Sequence, residues 1–306
     1  MIVTAMAAPR LFDRKLVLAR RLRAERMGLE TFLLDGVADD LVERLSAVKR
    51  RFPLALDLGT PGNALAAALR RSHQADRIIA CEPLVALRSG GMLRVAADEE
   101  ALPFAVETLD LVVSALSLQW VNDLPGAFAQ IRRALKPDGL FLAALVGGET
   151  LGELRESLAI AESEIEGGAS PRVSPFVDVR TLGSLLQRAG LALPVTDVER
   201  TTARYRNMRA LLHDLRRMGA ANALVERSRK PLPRAVLARA EEIYTARFAD
   251  PDGRLRATFD TLWLSAWAPH ASQQKPLAPG SAKMRLADAL GTSERPAGEK
   301  AGRRRR

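Results

Sequence analysis

In 306 residues the chain has one cysteine, three histidines, three tryptophans and two tyrosines. The single Cys81 excludes an intramolecular disulfide and a cysteine-based zinc cluster, and it suits a reducing compartment. His73, His213 and His270 stand far apart without metal-ligand spacing, so each reads more simply as a surface or packing residue. No apolar run approaches the roughly 18–20 residues of a membrane span. The opening segment, residues 1–9, lacks the basic stretch and long apolar core of a signal peptide. There is neither a Gly-x-Ser-x-Gly elbow nor a Walker loop, which argues against hydrolase and nucleoside-triphosphatase chemistry. The expectation is a cytoplasmic protein without a metal site.

What is present begins with a hydrophobic content of 47%, enough for a substantial core. The net charge of +10 invites a nucleic-acid reading, so its location decides. Residues 10–26 hold seven basic and two acidic side chains, and residues 275–306 hold nine basic and three acidic. That leaves 30 basic against 31 acidic residues in the body of the chain. The charge therefore belongs to the ends and outlines no basic groove, which argues against nucleic acid as a partner. The terminal Arg303-Arg304-Arg305-Arg306 suits an acidic partner, RNA or a membrane surface, but reads more simply as part of a solvated, mostly disordered basic tail over 271–306.

Apolar periodicity predicts a helix over 11–26, with Leu11, Leu18 and Leu22 on one face, and a second over 38–49. Residues 1–50 thus read as an N-terminal helical lid. From there strands and helices alternate: strands at 54–58, 77–81, 93–96, 109–114 and 140–146, and helices at 64–71 and 124–135. Lys136-Pro137-Asp138-Gly139 reads as a turn. Such alternation implies right-handed crossovers and a parallel sheet covered by helices on both faces. Beyond Gly148 come helices near 150–165, 181–189, 208–218 and 234–248, with strands at 195–205 and 258–267. The division expected is a domain over 51–270, with a helical insertion around 150–255, followed by the tail.

The first strand and its turn, Leu54 to Asn63, carry the sharpest signal. An apolar run ends in Asp57, then Gly59 turns the chain into a helix, an order that presents a strand end and a helix N-terminus to a ligand. Asp57 can equally cap the turn's own N–H groups. Glu82 ends the second strand, where a carboxylate can accept from both hydroxyls of a ribose, although a surface ion pair is the simpler alternative. Asp98 follows the third strand, where it can accept from an adenine amino group; in the run Asp98-Glu99-Glu100 it can also be one of a solvated face. Cys81 reads as a small apolar residue, and Trp120 equally as the lining of a substrate opening or as a helix anchor.

These residues, with Leu102-Pro103-Phe104 and the segment 131–139, resemble the class I S-adenosylmethionine-dependent methyltransferases. The segments 114–125, 147–155 and 166–171, with Leu11-Phe12-Asp13-Arg14 and residues 272–276 and 279–282, resemble more narrowly the mitochondrial respiratory complex I assembly factors with this fold. The malonyl-carrier-protein methyltransferases of biotin synthesis are similar through the core. The resemblance implies an α/β, Rossmann-like sheet of seven strands, mainly parallel with the last strand antiparallel. It implies S-adenosyl-L-methionine as cofactor, held by Asp57, Gly59, Gly62, Glu82, Asp98 and Glu99. It also implies hydroxylation of an arginine in an iron–sulfur subunit of the NADH–quinone oxidoreductase, in the cytoplasm or peripherally at the inner membrane.

The chain departs from the family's glycine loop, since Pro61 and Asn63 stand at the second and third glycine positions. Pro61 has no N–H to donate, and a hydrogen bond lost to a charged ligand costs on the order of 1.5–3 kcal/mol. Asn63 tolerates a left-handed backbone and is expected to rescue the turn. Hydroxylation through a non-haem iron would call for two histidines and a carboxylate, which the spacing does not announce, so no catalytic residue is assigned. Methyl transfer to a small molecule or carrier-bound carboxylate, and a non-catalytic assembly role, stand as alternatives.

Overall fold

A computed structural model describes residues 10–84, 92–274, 281 and 284–293. Contacts divide the chain into Met1–His270 and Ala271–Arg306. In the first unit the strands are β1 (Phe52–Leu58), β2 (Ala75–Cys81), β3 (Leu93–Val95), β4 (Leu109–Ala115), β5 (Leu135–Gly147), β6 (Ala192–Tyr205) and β7 (Leu255–Trp267). They form one sheet in the order β3-β2-β1-β4-β5-β7-β6. The pairs from β3 to β5 are parallel, and β7 runs antiparallel between β5 and β6. This is the mixed seven-stranded sheet expected.

The helices are α1 (Arg14–Met27), α2 (Phe32–Ser46), α3 (Ala64–Ser72), α4 (Leu124–Ala134), α5 (Gly152–Glu166), α6 (Val179–Arg188), α7 (Met208–Arg217) and α8 (Arg234–Phe248). Side chains alternate along β5, and that alternation divides the core. Phe141, Ala143 and Leu145 face α4 and α6 through Phe128, Ile131, Leu182 and Leu186. Leu140, Leu142 and Ala144 face α2 and α3 through Leu41, Leu45, Leu65 and Leu69. A third apolar cluster joins α5, α7 and α8 to the ends of β6 and β7. Helix starts follow ordinary capping: Asp13, Asp123, Asp178 and Asn207 each accept a backbone N–H three residues on.

Three readings of the sequence change. The Lys136–Gly139 segment lies inside β5, because the strand bends at Asp138 (φ 61°) and continues its pairing; Asp138 N–H donates to the Ala268 carbonyl at 3.1 Å. The second helix begins at Phe32, and its apolar face packs into the sheet's core. In α1 the buried face is Val17, Arg21 and Ala24, while Leu11 and Leu18 are exposed. Within 271–306 a short helix, α9 (Leu286–Leu290), has no buried residue. The tail reading otherwise falls largely on residues 275–280, 282–283 and 294–306, which lie outside the described residues. No helix among the described residues is long and apolar enough to cross a membrane.

Candidate functional site

Strands β1, β2 and β3 run parallel, so their carboxyl ends share one edge of the sheet, where Asp57 is the penultimate residue of β1, Glu82 directly follows β2 and Asp98 comes after β3. The ladder continues past the strand ends: Gly59 N–H donates to the Cys81 carbonyl at 2.7 Å, and Glu82 N–H to the Val95 carbonyl at 3.2 Å. The turn after β1 is tied to β4, since Ser114 Oγ donates to the Leu58 carbonyl at 2.7 Å and Ala115 N–H to Thr60 Oγ1 at 3.0 Å. Gly59 (φ 71°) and Gly62 (φ 73°) take the left-handed turns of the loop. Asn63, expected to do so, lies at φ −127°. The displaced Gly62 has taken over that conformation. Asn63 instead accepts from Arg94 Nη2 at 2.8 Å, which holds that guanidinium 3.9 Å from Glu82.

Asp57 and Glu82 are both buried. Burial pushes the Asp57 carboxyl up to about 7; Thr60 and the Ala66 backbone oppose the rise, while the Glu82 charge adds to it. Asp57 Oδ1 is buried with no hydrogen-bond partner. Cys81 packs in the core beside them, its thiol pushed up to about 12 by burial and then by Glu99 and Asp57, which leaves it an inert apolar residue.

Glu99 is wholly buried and fully engaged. It accepts from Arg14, from Ser117 Oγ and from Arg21 Nη1, the last at 3.4 Å. Burial alone would raise its carboxyl, but Arg21, Arg14 and Ser117 outweigh that and hold it at about 2. Arg21 also donates to Ser117 Oγ at 3.1 Å and to the Gly59 carbonyl at 3.4 Å. Arg14 donates to Asp98 at 2.7 Å and to the Trp120 carbonyl at 3.0 Å. Thus α1 lies along the edge where β1 and β3 end, pinned by two arginines one heptad apart on its inner face. Of the six residues expected at a ligand, Asp57, Gly59, Gly62 and Glu82 gather at the ends of β1 and β2. Asp98 and Glu99 are drawn into ion pairs with α1.

Arg14, Arg21 and Ser117 were missed by the sequence reading. The signal was the stripe Arg14-Val17-Arg21-Ala24 at helical spacing, which the exposed leucines outshone. Trp120 packs edge-on against Phe12, with centroids 5.3 Å apart, and lines a cavity of about 370 Å³ beside Pro61 and Leu116. His73 ends α3, and His213 is exposed on α7 at 3.7 Å from Asp214. Among the described residues no group of three or more histidine, cysteine or acidic side chains gathers as a metal site.

A ligand of the S-adenosylmethionine type brings an ammonium group and ribose hydroxyls that need acceptors at these strand ends. The partnerless Asp57 Oδ1, with buried Glu82 beside it, fits that demand. Comparison with known proteins agrees with this geometry. Residues 56–143 match the family model described as a methyltransferase domain. The mitochondrial arginine-hydroxylase NDUFAF5 of Danio rerio is 40% identical over 267 residues, spanning 84% of this chain and 81% of that protein. A malonyl-[acyl-carrier protein] O-methyltransferase of Halorhodospira halophila is 36% identical over 82% of this chain and 86% of its own length. The crystal structure of a methyltransferase-fold protein from Bacillus halodurans superposes with a TM-score of 0.52 at 14% identity, covering 76% of this chain and 99% of that one. That likeness concerns the fold alone. The sheet order, the strand-end acids and the identity across most of its length show that this chain belongs to the class I S-adenosylmethionine-dependent methyltransferase superfamily, as an enzyme of the family that includes the arginine-hydroxylase NDUFAF5.

Proposed function

We propose that the protein binds S-adenosyl-L-methionine at the ends of β1 and β2. In this reading it acts in assembly of the respiratory NADH–quinone oxidoreductase, by hydroxylating an arginine of an iron–sulfur subunit. The observation that carries the reading is the 40% identity to an arginine-hydroxylase across 84% of the chain. Glu82 accepts from the ribose hydroxyls, and Asp57 offers its free oxygen to a cationic or hydroxyl donor. Gly59 and Gly62 let the backbone turn close to the ligand, and Asp98 lies on the adenine side. Glu99 acts one step removed, by holding Arg14 and Arg21, and through them α1, as the lid over this edge.

When bound, the cofactor supplies an activated methyl group on a sulfonium, which hydroxylation does not consume. No residue is assigned to the oxidation, whose oxygen atom and two-electron oxidant must come from outside the chain. The partner is a subunit of the oxidoreductase, met in the cytoplasm or at the inner membrane.

Cells lacking the chain should lose most assembled NADH–quinone oxidoreductase activity from their membranes. Wild-type protein should restore it, whereas Glu82→Ala should restore little and should show no thermal stabilisation by S-adenosylmethionine. Normal oxidoreductase levels without the chain would sink the assembly role. An undiminished thermal shift in Glu82→Ala would sink the ribose assignment.

A further inference from the structure

Beside the strand-end site, α1, residues 29–34, α5 and α7 enclose the cavity of about 370 Å³, a size within the range of small-molecule pockets. Its walls are mostly apolar, with Leu33, Leu151, Leu154, Leu158, Leu215 and Phe259 among them. Four arginines also line it: Arg20, Arg21, Arg172 and Arg216. Two are neutralised, Arg21 by Glu99 and Arg172 by Glu162 at 2.5 Å. The other two are not. Arg20 Nε is buried without a partner, and neither the Arg20 nor the Arg216 guanidinium makes a hydrogen bond or ion pair among the described residues.

Among the described residues the one carboxylate on the lining, Glu30, is held by Arg217 at 2.7 Å. Burial disfavours the Arg20 charge, and the nearby Arg227 and Arg23 add like charge to it. Arg216 is exposed and its charge is solvated, but the half-buried Arg20 charge against apolar walls is costly alone, and a bound anion offsets that cost. A guanidinium or ammonium group would meet repulsion there.

We propose that this cavity binds a single-chain amphiphile with an anionic head. Arg20 meets the head, Arg216 adds charge to the same chamber, and the chain lies among the leucines. A medium-chain fatty acid is the simplest such molecule. The inference goes beyond the reading of the strand-end site and does not rest on it, since neither Asp57 nor Glu82 lines the cavity.

Calorimetric titration of the full chain with decanoate, decyl phosphate, decanol and decylamine tests it. Decanoate or decyl phosphate should bind at least about tenfold tighter than decanol, and decylamine should not bind. Which anion binds better tells a carboxylate from a lipid phosphate. Arg20→Gln should weaken anion binding about tenfold yet leave the ligand-free protein as stable or more stable, because it removes a partly buried unpaired charge. Leu154→Trp, which fills the chamber, should abolish binding in a protein whose circular dichroism is unchanged. Decanol binding as tightly as decanoate would overturn the proposal, as would Arg20→Gln binding decanoate with wild-type affinity.

Discussion

Glu99→Ala should lose about 3–5 kcal/mol of folding stability in urea unfolding, because it leaves the Arg21 guanidinium buried without a carboxylate and Arg14 with Asp98 alone. The cost comes from the stranded Arg21 charge more than from the lost side-chain volume. Adding Arg21→Leu to Glu99→Ala should therefore recover part of the stability, whereas a simple cavity would make the double variant worse still. The same network predicts a pH dependence. Glu99 is held at about 2, below the ordinary 4.5, so its contribution is complete above pH 4.5 and drains away as pH falls toward 2. The shift corresponds to about 3 kcal/mol. In Glu99→Ala that part of the acid destabilisation should vanish, and an unchanged acid limb would contradict the ion-pair account.

Gly59→Ala should be comparably damaging, and Gly62→Ala should not. Both glycines have φ near +70°, a conformation that costs an L-residue about 1–2 kcal/mol. At Gly59 a Cβ would also run into Ser117 Oγ and the Glu99 side chain, whose Cγ stands 2.8 Å away. Both neighbours are fixed in the buried network and cannot give way, which adds about 1–3 kcal/mol of overpacking. At Gly62 the nearest atom to such a Cβ is Leu29 Cδ1 at 3.5 Å, an ordinary contact. The two alanine variants should thus differ by about 2 kcal/mol in unfolding free energy. Equal losses would mean that the loop suffers only from backbone strain.

Much of this molecule is legible from its residues in order. The sheet is, because each parallel strand is a short apolar run and ends in an acid or a turn. Asp57, Glu82 and Asp98 stand out for the same reason, and the topology brings three strand ends to one edge. The inner face of α1 is not legible by hydrophobicity, since half of its stripe is arginine and only the distant Glu99, Ser117 and Gly59 make burying Arg21 favourable.

Spacing failed in the glycine loop for a different reason. Counting positions gave the left-handed turn to Asn63, while the backbone gave it to Gly62 and turned Asn63 toward Arg94. Nor could spacing show the cavity, whose walls come from α1 and residues 29–34 on one side and from α5 and α7, more than a hundred positions further along, on the other. Unpaired charge at Arg20 is a property of three-dimensional neighbours and has no mark in the sequence.

The proposed adenosyl ligand sits in a fold whose name implies methyl transfer, while the relatives it matches are named arginine-hydroxylases. The mass of one arginine-bearing peptide separates the two. Membranes from cells with and without the chain would be digested, and the peptides of the oxidoreductase's iron–sulfur subunits weighed. One arginine should carry an extra oxygen only when the chain is present. An arginine that is unmodified in both, or that gains a methyl group instead, would contradict the account.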